Sequence, residues 1–303
     1  MQNCKTLYAS LQLTQKMKSK ILVLLLFSFF NSYSQKIEKK IGDFKITEES
    51  FQAENKKKIS KSDFYFDKSG KILEKIKFGR HHYRKLNIIG EIEQYFYSDI
   101  KLLFSKRYVS SCRNCSFTLY FSKYIYDDNK LIHENVYRGE SDMLFMSLDY
   151  KYKPNSKEIH SNSSTYIENK YDDQNRITEQ SQIFEDTKKV RWKKEFVYAI
   201  NFQANKFQTY YGDGNENTEM EIIKYDSQKR IISKEVIRDK SKTFFYYYYA
   251  QNGIIKKIEE SENYNDKYEL KYTTNFKIKK REESVDSLTV EKINSQLIYG
   301  ISM

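Results

Sequence analysis

The sequence predicts an all-β protein: an antiparallel meander or solenoid of about nine β-hairpin repeats, entered after a cleaved signal peptide. Three observations predict it. Aromatic residues are 16% of the 303, with 27 Tyr and 20 Phe, and such rings favour a pleated, half-buried surface. Gly numbers 9 and Pro 1, which excludes collagen-like, Pro-rich and Gly/Ser-linker chains. A short motif of aromatics, Asp, polar residues, a basic residue and Ile or Leu recurs with a period near twenty-five residues. The apolar fraction is 39%, and roughly 30% without tyrosine, so the core is thin yet above the disordered range.

The first element is a targeting segment. Lys16, Lys18 and Lys20 precede the ten-residue apolar run Ile21 to Phe30, and Ser32-Tyr33-Ser34 supplies small residues for a peptidase. Ten apolar residues fall short of the roughly twenty that span a bilayer. Residues 1–34 therefore read as a signal peptide, with Met17 an alternative start. No Cys directly follows the apolar run, Cys4 lying before it, so a lipid anchor is not expected. The protein is expected in the periplasm or outside the cell, without an integral membrane span.

Residues 35–61 read as an N-terminal strand or capping segment, 62–283 as the hairpin repeat domain, and 284–303 as a C-terminal tail or capping strand. The repeat is clear in Phe64-Tyr65-Phe66-Asp67, Tyr95-Phe96-Tyr97, Tyr124-Ile125-Tyr126-Asp127, Tyr171-Asp172 and Tyr225-Asp226. Weaker copies centre on Tyr152, Tyr198, Tyr249 and Tyr272. Aromatics two apart project from one face of a strand and pack on cross-strand neighbours. The Asp carboxylate accepts backbone N–H bonds downstream and holds a turn, so Asp67, Asp127, Asp172 and Asp226 are the expected turn residues. The basic residue and the Ile/Leu pair begin the returning strand, with Glu and Lys alternating outward after it. An isolated hairpin is marginal in water, so the units must stack into one sheet.

This motif resembles the YD repeats of the Rhs family, over residues Ser62 to Lys280. It is good at Tyr126, Tyr171 and Tyr225; Asp is replaced after Tyr152, Tyr198, Tyr249 and Tyr272, and the family's turn glycine survives only at Gly70 and Gly253. The resemblance implies strand architecture and an envelope or extracellular setting, and carries over no activity. Long members of the family wind many more repeats into a hollow shell around a C-terminal toxin. Nine units are too few for such a closed shell, and residues 284–303 are too short for a toxin.

Charge adds an exclusion. The formal net is +12; without residues 1–34 it is +8, from 49 basic and 41 acidic residues. Lys and Arg are interleaved with acids rather than gathered in a stripe, so a nucleic-acid partner is not expected. No nucleophile motif, metal-protease helix, Walker loop or dinucleotide fingerprint occurs, and no enzyme, metal or cofactor is expected. His81 and His82 are adjacent and point to opposite strand faces; His133 falls on an outward position and His160 in a polar loop. Asp213 to Glu219 has oxygens at alternate positions, but Thr218 and Lys224 occupy the glycine and closing-glutamate positions of a calcium loop, leaving an ordinary turn.

Two features remain. Cys112 and Cys115 lie in Ser111-Cys112-Arg113-Asn114-Cys115 with no helix following, which a redox CxxC needs, and no second pair, which a zinc knuckle needs. An exported chain then favours a disulfide across a hairpin turn. The run Tyr246, Tyr247, Tyr248, Tyr249 places phenols on both sheet faces, either as thin core or as a stacking surface for a sugar or a partner. The functional expectation is a non-catalytic exported binding or scaffolding module, contacting protein or glycan of the envelope. The alternative is an accessory or immunity-type partner of a toxin or secretion system. Thiol titration of the denatured, unreduced mature protein is expected to find no free thiol; two reactive thiols, or a bound metal, would refute the pairing.

Overall fold

The computed structural model describes residues 42–79, 86, 88–110, 115–139, 143–198, 204–211, 217–238, 241–264, 267–280 and 286–299. For 204–208, 210, 211, 217, 218, 264 and 280 only the backbone is described. The signal segment 1–34, His81, His82, Cys112 and residues 213–216 lie outside this set. The strands are β1 Phe44–Gln52, β2 Lys58–Phe66, β3 Ile72–Phe78, β4 Ile89–Ser98, β5 Lys101–Val109, β6 Thr118–Asp127, β7 Lys130–Arg138, β8 Met143–Lys153 and β9 Ser156–Ser161. They continue as β10 Thr165–Tyr171, β11 Ile177–Phe184, β12 Val190–Tyr198, β13 Ala204–Tyr211, β14 Asn217–Tyr225, β15 Ile231–Arg238, β16 Ser241–Tyr249, β17 Ile255–Tyr264 and β18 Lys267–Lys280. One helix, α1 (Ser287–Tyr299), follows.

The all-β hairpin meander is the fold. Every strand pairs antiparallel with the next, and β1 pairs with β2 on one side and with β18 on the other. Phe44 thus stands opposite both Phe66 and Lys280, and the ladder returns to its start. This corrects the expectation that nine units are too few to close: each supplies two strands, and eighteen are ample for a ring. The weak copy at Tyr272 is not a hairpin. Tyr272 sits inside the long β18 opposite Glu260 and Gln52, and β18 and β1 together make the closing pair.

The reversals are of two kinds. At Asp67, Asp172 and Asp226 one carboxylate oxygen accepts the backbone N–H groups two and four residues on, at 2.8–3.0 Å. The fourth residue of each turn has positive φ: Gly70 (78°), Asn175 (60°) and Lys229 (63°). Asn and Lys therefore keep a glycine geometry at some conformational cost. Asp127 does not lead such a turn. It pairs with Lys130 at the end of β6, and Asp128 and Asn129, both at positive φ, make a two-residue reversal.

After the aromatic the pairing slips by one residue, at Phe66, Tyr97, Tyr126, Tyr171, Tyr225 and Tyr249. The slip is a bulge, and it resets which side chains face inward. Successive hairpins are then clamped together. The basic residue after one turn lies over the ring that precedes the next: Lys71 over Tyr97, Lys101 over Tyr126, Lys130 over Tyr152, Arg176 over Tyr198 and Arg230 over Tyr249, at 4.6–5.7 Å. The hydroxyls of Tyr126, Tyr152, Tyr198 and Tyr249 donate to the carbonyls of Leu102, Leu131, Ile177 and Ile231, at 2.7–3.0 Å.

Residues 284–303, expected as a tail or strand, contain α1 instead. Asp286 caps it, accepting from the Thr289 amide at 2.9 Å and the Thr289 hydroxyl at 2.7 Å. Val290 and Ile293 enter the core among Phe44, Phe66, Ile72 and Ile255. Asn294 accepts from the Ile255 amide and donates to the Gly253 carbonyl; Gln296 does the same with Ile72 and Gly70. Gly70 is required twice over, by its φ and because a Cβ would meet the Thr289 carbonyl at 2.9 Å. The face that meets α1 is the inner face of the ring. The outer face carries rows such as Lys151, Glu158, Glu168, Ser181 and Lys193, side by side across five strands. A membrane barrel needs an apolar outer band there. No helix among the described residues is long and apolar enough to cross a membrane.

Tyr249→Phe removes one buried-side hydrogen bond of the clamp. It is expected to cost about 1 kcal/mol in urea unfolding with an unchanged slope, and Arg230→Ala, which also loses the Asp226 ion pair, more.

Candidate functional site

Inside the ring, between α1 and strands β2 to β8, lies a cavity of about 530 Å³, a volume suited to a small molecule. The bulge parity puts its polar groups there. In β7 Leu131 faces in, Ile132 absorbs the slip, His133 faces out and Glu134 faces in, opposite Tyr124. Simple alternation after the turn would have sent Glu134 outward. Tyr95 and Ser105 face in from β4 and β5 as a direct cross-strand pair, as do Ser105 and Ser122 from β5 and β6.

Three polar clusters result. Glu134 is buried, accepts from the Tyr150 hydroxyl at 3.3 Å, and lies within hydrogen-bonding reach of Ser122 and Tyr124. Burial pushes its pKa up, against those hydroxyls. Tyr124 and Ser105 share a hydrogen bond at 3.2 Å, and burial pushes the Tyr124 phenol up to about 12. Tyr95 donates to Glu93 at 2.5 Å and is raised by burial and by that carboxylate. At the far rim Arg107 pairs with Glu91 and stands 3.7 Å from Glu93, while Lys77 bonds Glu91 at 3.0 Å. Burial alone would raise Glu91, but hydrogen bonds with Glu93, Lys77 and Arg107 outweigh it and hold the group at about 2. Phe64, Tyr120 and Phe145 supply ring surface, with Tyr120 and Phe145 in an edge contact at 5.8 Å.

The residues singled out from sequence lie elsewhere. Tyr247 is in the core at 9% exposure and Tyr249 is half-buried in the clamp, so the four-ring surface is split; Tyr246 and Tyr248 alone face out, at 44% and 41%. Cys115 is disulfide-bonded and exposed, and accepts from the Ser110 hydroxyl through its carbonyl. His133 faces out and pairs with Asp149 at 2.5 Å. His160 is not in a loop: it lies in β9, stacked on Tyr166 and held between Glu158 and Glu185. No group of three metal-ligating side chains converges among the described residues. Nothing in the sequence marks Glu134, since only the parity of the bulge directs it inward.

No family model and no curated protein matches the chain. Among solved structures, a porin-like protein from Bacteroides uniformis is similar at 10% identity and TM-score 0.39, over 78% of this chain and 96% of that one. The Tc holotoxin pore of Photorhabdus luminescens is similar at 10% identity and TM-score 0.30, over 73% of this chain and 16% of that one. Likenesses this distant say nothing of activity.

The two carboxyls give opposite pH dependences. Glu91 is lowered from 4.5 to about 2, so its contribution is full above the ordinary value and is lost as pH falls through the folded one. Glu134 is raised, so its contribution is present at low pH and is lost as pH rises through its folded value. Urea unfolding between pH 2 and 7 should show Glu91→Gln flattening the acid loss and lowering stability at pH 7. Glu134→Gln should be neutral or stabilising at pH 7.

Proposed function

We propose that this protein is a non-catalytic, exported binding module of the cell envelope or extracellular space, and that the interior cavity holds its ligand, a small neutral saccharide or comparable polyol. The cavity carries the reading. Its walls alternate ring faces (Tyr95, Tyr120, Tyr124, Phe145) with hydroxyls (Ser105, Ser122) and carboxylates (Glu93, Glu134), which suits a ligand with apolar faces and many hydroxyls. Arg107 is already matched by Glu91, and Lys75 and Lys106 balance Glu93 and Glu134 in the lining, so the site favours no ion. Glu93 is engaged by Tyr95 and Glu134 by hydroxyls, roles that suit holding a ligand. The Tyr-Asp turn supports reading the chain as a short Rhs-like repeat protein of the same setting.

Titration calorimetry of the full chain against a panel of neutral mono- and disaccharides tests this. At least one sugar should bind, and Glu134→Gln and Tyr124→Phe should each weaken it tenfold or more without lowering the unfolding midpoint by more than a few degrees. No binding across the panel would overturn the site; cleavage of the bound sugar would overturn its non-catalytic character.

A further inference from the structure

A second surface is built on the opposite side of the same strands. Phe96, Phe104, Phe121 and Tyr137 project from the outer face of β4, β5, β6 and β7, one from each. Phe96 and Phe104 stack at 4.2 Å, Phe104 and Phe121 lie at 5.5 Å, and Phe121 and Tyr137 at 6.2 Å. The rings form one continuous half-buried row across the strands, continued by Leu144 of β8, which stands opposite Tyr137 and is 50% exposed.

Charge is sorted along this row. On the four strands Glu91, Glu93 and Glu134 point inward, while Lys106 and Lys123 point outward, opposite Phe121 and Phe104. Lys106 reaches over Phe96 at 5.7 Å. Among the described residues neither lysine makes an ion pair, and the outward acid of these strands is Asp127, out at the turn. The outer face of β8 to β12 differs: there Lys153 is paired with Glu158, Lys170 with Glu179, and Lys193 with Glu195.

We infer that this row is a docking surface for an extended acidic polysaccharide. Pyranose rings present apolar faces that stack on aromatic side chains, and a linear chain of them meets a linear row of rings. Carboxylates carried along the same chain meet Lys106 and Lys123, which no acid among the described residues pairs. Aromatic row and basic flank together make a platform for a polyanion with flat units, which stacking holds and salt weakens. Apart from Lys106, which also lines the cavity, this surface shares no residue with the cavity lining.

The probe is an oligogalacturonate, with neutral dextran and oligothymidylate as comparisons, binding to the full chain being followed by fluorescence anisotropy. Oligogalacturonate should bind with an affinity that falls at least tenfold between 50 and 300 mM salt, and dextran should not. Lys123→Gln, and separately Phe121→Ser, should each weaken it tenfold or more, while neutral-sugar binding in the cavity, which neither residue lines, is unchanged. Lys123 is exposed, which keeps the test valid if Phe121→Ser fails to fold. Equal binding of dextran, no binding of oligogalacturonate, or tighter binding of oligothymidylate would each overturn the inference, the last in favour of a single-stranded nucleic acid.

Discussion

The structure depends on one contact repeated from hairpin to hairpin. A turn-ending Lys or Arg lies on the ring that opens the next turn, and that tyrosine returns a hydroxyl bond to the carbonyl just past the base. At Asp172 and Asp226 the same arginine also pairs with the turn Asp at 2.7 Å. Each single interaction is worth little: a partly exposed cation–π contact or ion pair contributes on the order of 0.5–1 kcal/mol. Their value lies in repetition and geometry. A phenol packs on its neighbour and still satisfies a backbone carbonyl that would otherwise face the apolar interior. This explains how a chain poor in Leu and Val sustains so large a sheet, and why tyrosine rather than phenylalanine precedes the turn in most units.

Closure solves the remaining problem of a hairpin array, its two unpaired edges. In a ladder that returns to β1 the described strands all have partners on both sides, so no free edge invites another chain. The closing pair joins the two ends of the repeat region, β1 and β18, which ties closure to the whole chain being present. The helix then fills part of the interior, spending Asn294 and Gln296 on the backbone of two turns rather than on solvent. What it leaves open is the cavity.

Strands β4 to β7 show how one sheet can carry two chemistries. Because alternate residues face opposite sides, the glutamates and tyrosines gather inside while the phenylalanines and lysines gather outside. The inner set lines the cavity with rings, hydroxyls and carboxylates; the outer set forms a half-buried linear row.

The sequence alone determined the hairpin architecture, the period and the turn chemistry at Asp67, Asp172 and Asp226. Those features are local: aromatic alternation, an acceptor side chain and a basic residue act within ten residues of one another. It left the closure, the helix and the sites undetermined. The partner of β1 is more than two hundred residues away, and nothing in either strand's alternation names it. The one-residue slip beside Tyr126 is invisible in the sequence pattern, yet it turns Glu134 from the outer face to the inner. A period-2 element carries no record of which parity is inside. That parity was set only when α1 and the closing strand fixed one face of the sheet as the interior.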